Sequence, residues 1–157
     1  MANKYWLVKS EPEVFSLNDL KQSKNQTTYW DGVRNYQARN FMRDEMKKGD
    51  GVLFYYSSTD PNAIVGVCEV VKEGYPDHTQ FDSKNDHFDP KADPKNPTWI
   101  MIDIKFVKEF KTLVTLDAIK SNPKLKNMKL IARGNRLSVM PATKEEFDEI
   151  EKMGNKK

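Results

Sequence analysis

Short runs of bulky and β-branched residues, separated by polar turn-rich segments, dominate this chain, and they predict more strands than helices. Tyr5 to Lys9 reads as a first strand, ended by Ser-Glu-Pro. Ser16-Leu-Asn-Asp19 has the spacing of a capping box, in which a Ser side chain and an acid three residues later satisfy each other's backbone N–H, and it opens a short helix near Lys21. Thr27 to Trp30 returns to strand residues. From about Arg34 to Lys48 the apolar positions Ala38, Phe41, Met42 and Met46 fall at helical spacing, with Gly49 as the stop. Gly51 to Ser57 and Ala63 to Tyr75 form two strands joined as a hairpin through Ser-Thr-Asp-Pro-Asn. Thr98 to Phe110 alternates as one long strand. Leu116 to Ser121 suggests a short helix, Met128 to Ile131 and Leu137 to Met140 suggest strands, and Thr143-Lys-Glu-Glu146 is a second capping box opening a last helix toward Met153. This order predicts an α+β domain on a twisted, barrel-like antiparallel or mixed sheet, and argues against a doubly wound parallel sheet.

The 157 residues are enough for one domain, and 38% hydrophobic content places the chain among globular proteins. Cys68 is the only cysteine, which excludes an internal disulfide framework; it lies in the apolar run IVGVCEVV and reads as inert core. The start, MANKYWLVKS, lacks the apolar stretch of a secretory signal, and no apolar run reaches membrane-spanning length. These features predict a protein kept inside the cell, cytoplasmic or, in a eukaryote, nuclear, and not secreted. The net charge of +3 permits a nucleic-acid partner without demanding one. Its distribution changes the picture, because no acid occurs from Ala118 to Lys144, where seven Lys and Arg residues do. That one-signed face is either solvated surface or a patch facing phosphate.

Pro76 to Pro97 is too polar and Pro-broken for regular structure and longer than ordinary loops. Its crowded acids and His78 and His87 invite a metal, but neither calcium-loop nor zinc spacing is present. Glycine-rich phosphate loops and serine-hydrolase elbows are also missing, and Ser57, His78 and Asp77 form a trio without an oxyanion loop. No metal or cofactor is therefore expected. The densest chemistry is WDGVRNYQARNFM, Trp30 to Met42, where a Trp, a tight turn and two amides meet at a helix start. Folding alone accounts for each residue singly: Asn35 as cap, Trp30 as core, Arg34 and Arg39 as solvated charges. Together they also offer a stacking surface beside groups able to read a base edge.

KYWLVKSEP, WDGVRNYQARNFM, FYYSS, IVGVCEVVKEGYPDHTQF, NPTW, LKNMKL, RLSVMPAT and EEFDEI together resemble the EVE domain, over nearly the whole chain. Tyr56 departs from the pattern, in which many relatives have His. The resemblance implies a PUA-like bent β-barrel of about five to six strands flanked by helices, spanning residues 1–157 as a single domain. It is similar to the YTH domains that cage a methylated adenine, and it implies a non-enzymatic reader of a modified base in DNA or RNA, modified cytosine in DNA above all, flipped into an aromatic pocket. The reader is expected to act as a monomer, with neither membrane nor metal. By position, the resemblance places Lys9, Ser10, Trp30, Asn35, Asn40, Tyr55, Ser57, Tyr75, Asp77 and His78 around the base, and Arg34, Arg39, Lys129 and Arg136 on phosphates. Two other readings stay open: a small hydrolase of a modified nucleoside using Lys9 as base, and a module whose basic face meets an acidic protein.

Overall fold

The computed structural model describes residues 3–156. Six strands form one mixed sheet: β1 (Tyr5–Ser10), β2 (Thr27–Tyr29), β3 (Gly51–Tyr56), β4 (Ala63–Pro76), β5 (Ile100–Thr115) and β6 (Val139–Ala142). Their order is β2-β5-β4-β3-β1-β6, with β1 and β3 parallel and the other pairs antiparallel. The sheet is not closed, since β2 and β6 are its two edges. Register shifts interrupt the β4–β5 ladder four times, at Ile64/Gly66, Val67/Cys68, Val70/Lys72 and Lys72/Tyr75. Such irregularities bend a strand pair and increase its local twist.

Four helices flank the sheet: α1 (Leu17–Gln22), α2 (Tyr36–Asn40), α3 (Leu116–Ser121) and α4 (Lys144–Gly154). The helix begun by α2 continues as a π-turn over Phe41–Glu45. Because both sheet faces are covered, alternate residues of the central strands enter two separate cores. Trp6, Val8, Val52 and Phe54 pack with Leu17, Leu20, Ala38, Met42 and Trp30 on one face. Leu7, Leu53 and Tyr55 pack with Ile119, Leu125, Met128, Phe147 and Ile150 on the other. Cys68 is a fully buried member of the first core, and burial pushes its thiol pKa up, as suits an inert side chain.

Both expected capping boxes are formed, at Ser16 with Asp19 and at Thr143 with Glu146. The Thr143 hydroxyl accepts from the Glu146 N–H at 3.1 Å, and the Thr143 N–H donates to the Glu146 carboxylate at 3.0 Å. Thr143→Ala is expected to lower the unfolding free energy by about 1 kcal/mol in urea titration. Two expected strands need correction. Met128 to Ile131 is no strand: Lys129–Ile131 is a 3-10 turn that points Met128 and Leu130 into the second core. The run placed at Leu137 to Met140 is shifted, with β6 at Val139–Ala142 in register with β1.

The segment between β4 and β5 has its own framework. The buried Gln80 side chain donates to the carbonyls of Asp77 (2.7 Å) and Trp99 (2.8 Å) and accepts from the Trp99 N–H (3.0 Å), tying the segment's two ends together. Asp82, Asp89 and Asp93 each accept the backbone N–H two residues on, so these three acids brace turns. Among the described residues, no group of three or more His, Cys, Asp and Glu side chains is placed to hold a metal ion, and no helix is long and apolar enough to cross a membrane.

Candidate nucleic-acid interface

A cleft of about 800 Å³ opens where β1 ends, and it brings together residues far apart in sequence. Lys9 and Ser10 come from the end of β1, Val14 and Phe15 from the loop after it, and Tyr29, Trp30 and Asp31 from the end of β2. Ser57, Asp86, His87, Arg136 and Ser138 complete the wall. The volume lies within the ~300–1,000 Å³ of small-ligand clefts.

Trp30 is only 9% exposed and belongs to the first core, yet it borders the cleft. Phe15 (6.3 Å between ring centroids) and Phe54 (5.6 Å) meet it at 79°, the edge-to-face geometry that aromatic quadrupoles favour. Trp6 and Trp99 donate their indole N–H groups to Asp50 and Asp89. The Trp30 indole N–H has no acceptor among the described residues, which leaves it for a ligand or solvent.

The loop that carries Val14 is braced from below. The Ser10 hydroxyl donates to the Phe15 carbonyl (2.6 Å), the Val14 and Phe15 N–H groups both donate to the Glu11 carbonyl (2.9 Å each), and the Tyr56 hydroxyl accepts from the Leu17 N–H (2.8 Å). Tyr56, at the position of departure from the family pattern, thus fixes the start of α1. Val14 is 77% exposed, the most exposed large apolar residue described, and it stands at the cleft's rim. Lys9 is partly buried, and the loss of solvent lowers its amine pKa below the ordinary value.

Of the fourteen residues expected at a base or phosphate, Lys9, Ser10, Trp30, Ser57 and Arg136 line this cleft. The others lie elsewhere, most of them with a local duty. Asn35 is the N-cap of α2, accepting from the Ala38 N–H at 3.0 Å, and Asn40 accepts from Arg39 Nε at 2.9 Å. Tyr55 belongs to the core on the opposite sheet face, because it shares the parity of Leu53. The Tyr75 hydroxyl donates to Asp103, and burial, then that bond, push its pKa up. His78 is exposed and meets Tyr29 edge-on at 5.0 Å.

Arg34 is directed inward. Its guanidinium donates to Asp77 Oδ2 (3.0 Å), Thr79 Oγ1 (3.1 Å) and the His87 carbonyl (2.6 Å), which leaves little of it for phosphate. Asp77 is fully buried and also accepts from the Gly32 N–H at 2.8 Å, so one carboxylate clamps the Asp31-Gly32 turn to the long loop. Burial alone would raise the Asp77 pKa; hydrogen bonds from Thr79, Gly32 and Arg34 outweigh it and hold the carboxyl below its ordinary value. Arg39 donates to the Thr98 carbonyl at 2.8 Å and lies over the Tyr36 ring. Lys129 is exposed on its 3-10 turn, outside the cleft.

Asp31, His87, Phe15 and Val14 also line the cleft, and none of them was among the residues expected at a base or phosphate. The signal for His87 was Gly32, which has a positive φ of 79°, and a Cβ built there would come within 2.5 Å of the His87 ring. The glycine lets the long loop close against the turn.

The sequence profile of the EVE domain family matches residues 4–153. The chain belongs to the EVE domain family. Human thymocyte nuclear protein 1 is 47% identical over 161 residues, covering 92% of this chain and 71% of that protein. The chicken protein of the same name is 48% identical, and this EVE domain spans 66% of its length. A crystal structure of human THYN1 in complex with 5-methylcytosine-containing DNA matches with a TM-score of 0.92 at 45% identity, covering 99% of each chain. A protein from Leishmania major matches at 0.91 and 45%, covering 98% of this chain and 95% of its own. The open six-stranded sheet of this EVE domain is therefore the PUA-like fold of its relatives.

Proposed function

We propose that this EVE domain is a non-enzymatic reader of a modified base, modified cytosine in DNA, which it accepts flipped out of the helix into the cleft beside Trp30. The observation that carries the reading is the Trp30-lined cleft, set in a fold that matches human THYN1 bound to 5-methylcytosine-containing DNA at 45% identity. Flipping costs a few kcal/mol, and stacking returns about 1–3 kcal/mol per base, so polar contacts must supply the rest. Lys9, Ser57 and the Trp30 indole N–H are the donors at hand. The exposed Val14 on its braced loop has the character of the apolar wedges that fill a vacated place in a base stack. In this reading Arg136 on the rim, and Lys129 beyond it, meet the phosphates flanking that base.

The test is a titration of matched duplexes carrying cytosine or 5-methylcytosine at one position, followed by fluorescence anisotropy across a salt series. Burial of one methyl-sized group is worth about 0.8 kcal/mol, so the modified duplex is expected to bind about fourfold tighter. Affinity should fall steeply with salt, and Arg136→Ala should reduce the log–log slope by about one without changing the preference. Equal affinity for both duplexes would refute the reading, and turnover of an acylated cytidine that stops in Lys9→Ala would reassign the cleft to hydrolysis.

A further inference from the structure

We propose that the Asp31 carboxylate makes the cleft accept 5-methylcytosine and refuse thymine; this rests on the reading of the cleft as a base site. Three carboxylates border the cleft, and two of them, on Glu11 and Asp86, belong to exposed residues. The Asp31 side chain is only 30% exposed. It directly follows Trp30 and is held from both sides: the Trp30 N–H donates to the Ile102 carbonyl at 2.7 Å, and the Gly32 N–H donates to Asp77 at 2.8 Å.

No donor among the described residues hydrogen-bonds this carboxylate. The nearest candidate, His87 Nδ1, stands 3.7 Å from Asp31 Oδ2, too far for a hydrogen bond, and is itself a buried atom without a partner. A partly desolvated carboxylate with unused lone pairs calls for a donor from whatever enters the cleft. Lys9, Ser57, Arg136 and the Trp30 indole on the same wall can all donate, and of the lining groups that can only accept, Asp31 is the least exposed.

Cytosine meets such a wall with an amino donor at C4, beside acceptors at N3 and O2; a carboxylate accepting from that amino group is an established form of base recognition. Thymine carries the same 5-methyl group and the same 2-carbonyl, so size and apolar contact cannot separate it from 5-methylcytosine. It differs in having a carbonyl at C4 and an N–H at N3; with the base seated so that its C4 substituent faces Asp31, the thymine carbonyl meets the carboxylate acceptor to acceptor and leaves both desolvated. Because hydrolysis of 5-methylcytosine at C4, which consumes water and releases ammonia, yields thymine, this one contact decides whether a deaminated site is still bound.

Single-stranded oligonucleotides differing only in one 5-methylcytosine or thymine remove any difference in pairing. Wild type is expected to prefer 5-methylcytosine on the order of tenfold. In Asp31→Asn, whose amide can donate to a C4 carbonyl, the ratio should fall to about one or invert, and Asp31→Ser, which keeps a turn-compatible side chain, should also lose it. Asp82→Asn, the same charge change away from the cleft, should keep the wild-type ratio. Thermal melting verifies that each variant is folded. If wild type binds neither oligonucleotide, the reading of the cleft falls and this proposal with it. If wild type binds 5-methylcytosine over cytosine but takes thymine equally well, or if the folded Asp31 variants keep the full ratio, the assignment to Asp31 alone is overturned.

Discussion

Asp77→Ala is expected to lower the unfolding free energy by about 3–5 kcal/mol, the usual cost of removing one partner from a buried ion pair. The fully buried carboxylate takes hydrogen bonds from the backbone of Gly32 and Thr79, the Thr79 hydroxyl and the Arg34 guanidinium. Truncation strands all of these donors, and Arg34 is left with Thr79, the His87 carbonyl and its own neighbour Val33. Asp77→Asn preserves shape but presents N–H groups to donors, so it should fall between. The pH dependence has a definite sign. Since the folded pKa lies below the ordinary 3.8, the carboxylate's contribution is complete above that value and is lost as pH falls through the folded one. Urea titrations of wild type and Asp77→Asn should therefore converge in strong acid and stay apart at neutral pH. The damage should also reach the cleft, because the same carboxylate positions the turn that follows Trp30. Stability unchanged to within 1 kcal/mol would mean that the turn and loop are held by other contacts.

Asp77 illustrates why part of the site was illegible in the sequence. The capping boxes at Ser16 and Thr143 were readable because each is a local device whose two halves lie three residues apart. The helical stripe of Ala38, Met42 and Met46 was readable for the same reason, and all three residues are buried. Arg34, by contrast, meets acceptors 43–53 residues away, and nothing in its neighbourhood distinguishes an inward guanidinium from a solvated one. Tyr55 shows a second limit. In GVLFYY both sheet faces are apolar, so no polar position marks which parity faces the cleft, and only the packing of both cores decides. The Met-Lys-Leu-Ile run failed as a strand because four apolar-rich residues suit a strand or a tight turn equally, and here a 3-10 turn buries the two that matter. Trp30, with Lys9, Ser10, Ser57 and Arg136, does border a hollow. The reading of Trp30 depended on a strand end and a turn adjoining each other in the chain.

Trp30→Ala should produce two separable losses. The indole is 9% exposed and wedged against Phe15 and Phe54, so its removal leaves a void and is expected to cost about 3–5 kcal/mol of stability. On top of this, loss of the stacking surface should weaken binding of the modified oligonucleotide by about 1–3 kcal/mol, on the order of ten- to a hundredfold. Trp30→Phe distinguishes the two. A phenyl ring keeps an aromatic face and most of the packing but has no N–H, and in wild type that N–H has no acceptor among the described residues. If the face alone matters, Trp30→Phe should bind nearly as well as wild type. If the indole N–H also holds the base edge, Trp30→Phe should lose a further factor of about ten, roughly one unmade hydrogen bond to a desolvated partner, while its melting temperature stays near that of wild type. Affinities must be compared at a temperature where melting curves show both variants fully folded. A folded Trp30→Ala protein that binds modified and plain oligonucleotides as wild type does would remove the base from this cleft, and the basic rim with Arg136 would then have to account for any binding that remains.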